Sequence, residues 1–143
     1  MPLPPQKFRE AVFQILYSHD FEAGEEAEMV PFMMQELKTT RRAMVDAHAR
    51  VNQVLAVLPE IDALIATGST EYTFERISRV ERTILRLGIF EMKCDEAIPP
   101  KVAIAEAIRL CRKFGTPESS QFVNAILDGV YKKDAAPAQP VLV

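Results

Sequence analysis

With 143 residues, 48% of them apolar and 26% charged, the chain has the size and balance of one globular domain with a real core. A net charge of -3 excludes a uniformly basic nucleic-acid binder but not a local basic face: residues 1–70 carry 6 basic and 10 acidic side chains, residues 71–143 carry 11 and 10. No stretch approaches the roughly 18 apolar residues of a membrane span, no signal-peptide pattern opens the chain, and Cys94 and Cys111 fit no metal or redox spacing; the expectation is a cytoplasmic protein with two buried or incidental thiols.

Pro4-Pro5 opens a first helix expected to run to about Ser18. Phe8, Ala11, Val12, Ile15 and Leu16 share one face, while Phe13 and Tyr17, four residues apart, fall roughly opposite. Either a second layer of helices covers that aromatic pair, or the pair is kept as an anchor for a protein partner. His19 to Glu26 reads as an acidic, glycine-broken loop. Glu26 to Lys38 reads as a short helix with Met29, Phe32, Met33 and Leu37 inward, its methionines core filling. Thr39-Thr40 caps a longer helix to about Leu58, with a stripe of Met44, His48, Val51, Leu55 and Leu58 on which His48 is a packing residue. Pro59 breaks or kinks it, and Ile61, Leu64 and Ile65 carry on to Gly68.

Ser69 to Phe74 is a connector in which Tyr72 and Phe74 are read as apolar plugs. Ser78-Arg79-Val80-Glu81 is a capping box in front of a strongly apolar helix reaching about Lys93. Val80, Ile84, Leu85, Leu87, Ile89, Phe90 and Met92 are too many for one stripe, so this helix is expected to be the most buried. Arg79, Arg82, Arg86 and Lys93 project within about 60° of one line. They form either a solvated charged face or a ridge that tracks phosphates.

Pro100 suits the first turn of the next helix, and Gly115 the left-handed position past its end. Thr116-Pro117-Glu118 then supplies an N-cap, a proline and an acid near the positive end of a last helix. Ile104, Ile108 and Cys111 give one apolar face, and Val123, Ile126, Leu127 and Val130 another; so short a connection makes the two helices neighbours. Phe122 lies about 80° from the centre of the second arc. It is either a half-buried core residue or a flank aromatic for an unpaired base. Lys132-Lys133 ends the helix, and 134–143 is expected to be a disordered tail. With no strand alternation or repeat, the fold class is all-α.

Little chemistry is written in the chain. It has no glycine-rich phosphate loop, no H-E-x-x-H, no G-x-S-x-G and no cysteine cluster, and its two histidines are poorly placed. No catalytic residue, metal or cofactor is expected.

Arg9-Glu10-Ala11-Val12 with Leu16-Tyr17-Ser18, Arg79-Val80-Glu81-Arg82-Thr83-Ile84-Leu85-Arg86, Lys101-Val102-Ala103-Ile104-Ala105-Glu106-Ala107-Ile108 and Phe122-Val123-Asn124-Ala125-Ile126-Leu127-Asp128 resemble, in order and spacing, the bacterial transcription antitermination factor NusB family. The resemblance spans roughly residues 7–131 and is most specific in the C-terminal half; residues 20–68 match only as helical filler. It implies a helical bundle of two three-helix sub-bundles, with residues 1–133 a single RNA- and protein-binding domain. It also implies a non-enzymatic adaptor that pairs with the ribosomal protein NusE, binds boxA-type single-stranded RNA and helps RNA polymerase through terminators in ribosomal RNA operons. The positions matching Tyr17 and Glu81 would face the protein partner, with Phe13 beside Tyr17. The N-terminal basic segment, here Lys7 and Arg9, would lie by the RNA with Glu118 and Phe122; the helical spacing, and not the resemblance, adds Arg79, Arg82 and Arg86 to the RNA-binding candidates.

Many relatives begin with an arginine-rich run, where this chain has only Lys7 and Arg9. Fewer phosphate contacts are expected to weaken RNA binding or shift it onto the partner and the arginine ridge. Two other readings stand beside the adaptor. One is a NusB-like module acting through protein contacts alone, for instance as a homodimer hiding the aromatic face. The other is the NusB-like part of a ribosomal RNA cytosine methyltransferase; that chemistry needs a cofactor-binding domain with a glycine-rich loop, which these residues, with 5 glycines, do not carry.

Overall fold

Two prolines fix the backbone angles that start the first helix, and α1 spans Pro5–Ser18. The computed structural model describes residues 3–19, 40–70 and 72–135. At the end of α1 the His19 amide donates to the Leu16 carbonyl (3.2 Å), and the Ser18 hydroxyl donates to the Ile15 carbonyl (2.6 Å). The chain divides into two units, Met1–Leu58 and Pro59–Val143.

In the first unit α1 packs against α2, Arg41–Ala56. The Thr40 hydroxyl oxygen accepts from the Ala43 amide at 3.2 Å, satisfying a donor that the helix start leaves over. The buried stripe of α2 is Ala43, Met44, Ala47, Val51 and Val54. It therefore runs one step round from the expected stripe, and His48 and Leu55 are half-buried at its margin. The helix expected over Glu26 to Lys38 lies outside the described residues.

The second unit begins within α3, Leu58–Gly68, where Pro59 sits in the first turn and restarts rather than continues the preceding helix. A turn of 3₁₀-helix, Phe74–Arg76, leads to α4, Arg79–Cys94. The N-cap half of the expected capping box forms, with Ser78 Oγ accepting from the Glu81 amide (3.2 Å), but the Glu81 carboxylate accepts from the Ser78 hydroxyl (3.1 Å) in place of the Ser78 amide. Every residue from Thr83 to Glu91 is buried, as the excess of apolar residues requires. Helices α5, Pro100–Phe114, and α6, Pro117–Ala135, pack on α4 and on each other. At Gly88 a Cβ would stand 3.1 Å from Leu127 Cδ1 and 3.6 Å from the Ala107 Cβ, so the three helices meet where one side chain is absent.

Gly115 departs from expectation. Its φ of -113° is ordinary extended backbone, not left-handed. Closeness is the reason for glycine: a Cβ would lie 3.1 Å from both the Cys111 carbonyl oxygen and Ser119 Oγ. Ser119 is held there by a reciprocal cap, with Thr116 N–H donating to Ser119 Oγ (3.3 Å) and Ser119 N–H to Thr116 Oγ1 (3.2 Å). Helix α6 reaches Ala135, so Asp134 and Ala135 are helical and not part of a tail; residues 136–143 lie outside the described ones.

Cys94 is exposed and Cys111 buried. Burial, with the charge of Glu81 adding to it, pushes the Cys111 thiol up to about 11. A thiol reagent at pH 8 is expected to modify Cys94 promptly and Cys111 only on unfolding. The unfolded thiol loses its proton first, so the unfolded state holds fewer protons between pH 9 and 11 and stability falls as pH rises through that window. Urea titrations of wild type and Cys111→Ala across this range check the point; identical pH slopes would remove Cys111 as the cause.

Candidate nucleic-acid interface

The face of α6 that starts at its N-terminus sets the site. Glu118, Gln121, Phe122, Ala125 and Ile126 recur at helical spacing and share one side. Opposite them runs the connector out of α3. Its first residue is held by the Ser69 amide on the Ile65 carbonyl (3.0 Å), and Ser69 Oγ donates to the Tyr72 carbonyl (2.6 Å). Buried Ile77 pins its far end. These segments and the start of α4 enclose an open cavity of about 590 Å³, with Tyr72, Arg76, Glu81, Glu118, Gln121 and Phe122 among its lining residues.

Two aromatic rings form one wall. Tyr72 and Phe122 meet edge to face, with centroids 5.6 Å apart and planes at 69°. Tyr72 is 48% exposed and Phe122 is half-buried. Tyr72 is thus no apolar plug: it lines the cavity and stays exposed. Around the rings the lining carries the carboxylates of Glu81 and Glu118 and the guanidinium of Arg76. That balance disfavours a phosphate inside but offers stacking faces and acceptors for base edges.

Of the sequence candidates, Glu81, Glu118 and Phe122 come together here, although the family resemblance puts Glu81 with the protein partner. Sequence reasoning missed Tyr72, Arg76 and Gln121. The spacing Glu118, Gln121, Phe122, Ala125 was the available signal on α6. For Tyr72 the signal was an aromatic among polar residues with no helical stripe to join.

The arginine ridge does not hold as expected. Arg86 is 8% exposed and turned inward, with Nε 2.9 Å from Asp62 Oδ1 and a terminal nitrogen 3.0 Å from Oδ2. Arg82 is half-buried, its guanidinium 5.2 Å from the Phe74 ring centre, and Arg86 lies 5.6 Å from the same ring. The line of cations exists on the helix, but Asp62 and Phe74 cover its middle; Arg79 and Lys93 are exposed.

In the first unit Lys7 is exposed and Arg9 half-buried. Phe13 is 3% exposed, so it is not the free anchor that a partner site would use. It stacks on half-buried Tyr17, with centroids 6.0 Å apart and planes at 23°, and leaves Tyr17 as the more accessible ring of the pair. Among the described residues no group of three or more His, Cys, Asp or Glu could hold a metal ion, and no single helix is long and apolar enough to cross a membrane.

Comparison with known proteins gives this geometry a family. A transcription antitermination protein NusB from Thermotoga sp. (strain RQ2) is 34% identical over 135 residues, covering 94% of this chain and 95% of the relative. The solved T. maritima NusB superposes with a TM-score of 0.75 at 33% identity, covering 96% of each chain. A crystal structure of antitermination factors NusB and NusE in complex with dsRNA matches with a TM-score of 0.74 at 25% identity, covering 90% of this chain and 96% of the other. The profile of the NusB family matches residues 6–132, and the chain belongs to that family.

Proposed function

We propose that the chain is a cytoplasmic, non-enzymatic transcription antitermination adaptor. It binds boxA-type single-stranded RNA together with a NusE-type ribosomal protein and acts within the RNA polymerase antitermination complex on ribosomal RNA operons. Residues 1–133 serve as one RNA- and protein-binding domain. The observation that carries the RNA half is the cavity in which Phe122 and Glu118 stand beside a second aromatic ring and a guanidinium. Unpaired bases bind by stacking on such rings, while the strand's phosphates are drawn to cations. Two carboxylates in the lining send the phosphates outside the cavity, toward Arg79 at the start of α4; Lys7 and Arg9 of the first unit supply further cations for the strand. Arg86, paired to Asp62, has no part in this surface. Tyr17 serves the protein partner, with Phe13 as the support beneath it. The names borne by the relatives, and the NusB–NusE–RNA complex among the structural matches, support the same reading.

The test is binding to a boxA-like RNA and a scrambled control, with and without the NusE-type protein, over a salt series. A preference for boxA that rises with the partner and falls with salt is expected. Binding of the partner with no preference between the RNAs would leave a protein-interaction module and remove the RNA half of the proposal.

A further inference from the structure

We infer that Tyr72 is a second stacking platform in this cavity, so that two successive unpaired bases are held, one on Phe122 and the next on Tyr72. The inference rests on the RNA-binding reading above and adds to it a residue and a stoichiometry.

Three observations combine. First, Tyr72 is 48% exposed although its carbonyl is hydrogen-bonded. The Ser69 hydroxyl holds the Tyr72 carbonyl at 2.6 Å, the Arg76 amide donates to the Thr73 carbonyl at 2.9 Å, and Ile77 is buried just beyond. These bonds hold the Tyr72 carbonyl and the turn that follows it, and the residue is still not used as core. Burying an aromatic is the usual gain from having one, so a half-exposed aromatic held in this way is set up to be covered by something else. Second, the two rings are inclined by 69° at 5.6 Å. Rings so steeply inclined do not sandwich one flat base; each presents a face to a different base, with the sugar–phosphate step that joins the two bases passing outside the cavity. Third, among the described residues the lining carries Glu81 and Glu118 against Arg76. A cavity of net negative lining admits neutral bases and turns phosphates away, so what lies on Tyr72 is a base and not the backbone.

The experiment uses the full chain and a boxA-like single-stranded RNA. Tyr72→Ala and Tyr72→Leu are each expected to weaken binding about tenfold, and Tyr72→Phe to stay within about twofold of wild type, because the ring and not the hydroxyl stacks. The leucine variant keeps apolar contact with Phe122, so a loss in both variants separates stacking from packing. Combining Tyr72→Ala with Phe122→Ala is expected to weaken binding further than either change alone. The chain has no tryptophan, so tyrosine emission is readable. RNA is expected to quench it in wild type and to quench it less in Tyr72→Phe. Wild-type affinity in Tyr72→Leu, or a double variant no weaker than Phe122→Ala, would overturn the inference while leaving RNA binding intact. Loss of NusE-type partner binding with RNA affinity unchanged would make Tyr72 a protein contact and overturn it too. A wild type with no RNA affinity, alone or with the NusE-type partner, would instead sink the functional reading on which it rests.

Discussion

Asp62→Ala is expected to lower the stability of the chain by about 3 kcal/mol, read as a shift of the urea midpoint. The Asp62 carboxylate takes both hydrogen bonds of a bidentate fork from Arg86, at 2.9 and 3.0 Å. Removing it takes this bidentate counter-charge from a guanidinium that is 8% exposed, and weakening the pairing of a buried cation is costly. The figure stands at the low end for a broken buried pair because the Asp62 side chain is 24% exposed and water screens part of the interaction. Adding Arg86→Met to the alanine variant is expected to recover most of the loss, since a neutral side chain of similar length needs no partner. A loss below about 0.5 kcal/mol for Asp62→Ala would place the pair with ordinary surface ion pairs.

Gly88→Val is expected to cost about 3 kcal/mol, by overpacking. Its Cβ alone would meet Leu127 Cδ1 at 3.1 Å and Cδ2 at 3.4 Å, and Leu127 is fully buried. The two further methyl carbons of valine cannot be placed without moving α4 away from α6. Leu127→Ala in the same chain removes the obstructing carbons and should return part of the stability, although each change alone is destabilising. Thermal melts of the two single variants and the pair measure that coupling. Strict additivity would show that the contact at Gly88 does not limit the packing.

Those two positions also mark where the sequence is readable and where it is not. Helix punctuation is local chemistry, so Ser78 with Glu81, Pro100, Pro117 and Thr40 mark helix starts by residue type and spacing alone, and the helices begin there. Apolar excess in α4 likewise announces its burial. Angular position on a helix, however, does not say what lies opposite. Arg86 shares a line with Arg79 and Lys93, but its fate is decided by Asp62, 24 residues away, and by Phe74 on a separate turn. Phe13 meets the same limit: periodicity puts it off the core stripe, and the fold buries it. Half of the cavity wall is visible in the sequence as Glu118 and Phe122. The other half comes from a connector without periodicity, where no pattern distinguishes a plug from a displayed ring. Gly115 is a place for glycine, as its position past a helix end suggests, but for a different cause, since the close approach of Cys111 and Ser119 is a tertiary fact.

Helices α4, α5 and α6 follow one another with only Asp95 to Pro99 and Gly115-Thr116 between them, and each packs on the other two. Contacts made so near along the chain close small loops, and helical topologies of this kind fold in microseconds to milliseconds. A ribosome adds roughly 5–20 residues per second, so the 19 residues of α6 take on the order of 1–4 seconds to make. Assembly of these three helices during synthesis is then paced by translation and not by the conformational search. Because α6 is the helix that carries Glu118 and Phe122, the cavity acquires its second wall only with the last helix: a nascent chain stalled before Pro117 would have its connector and its Tyr72 ring, but no aromatic for that ring to meet.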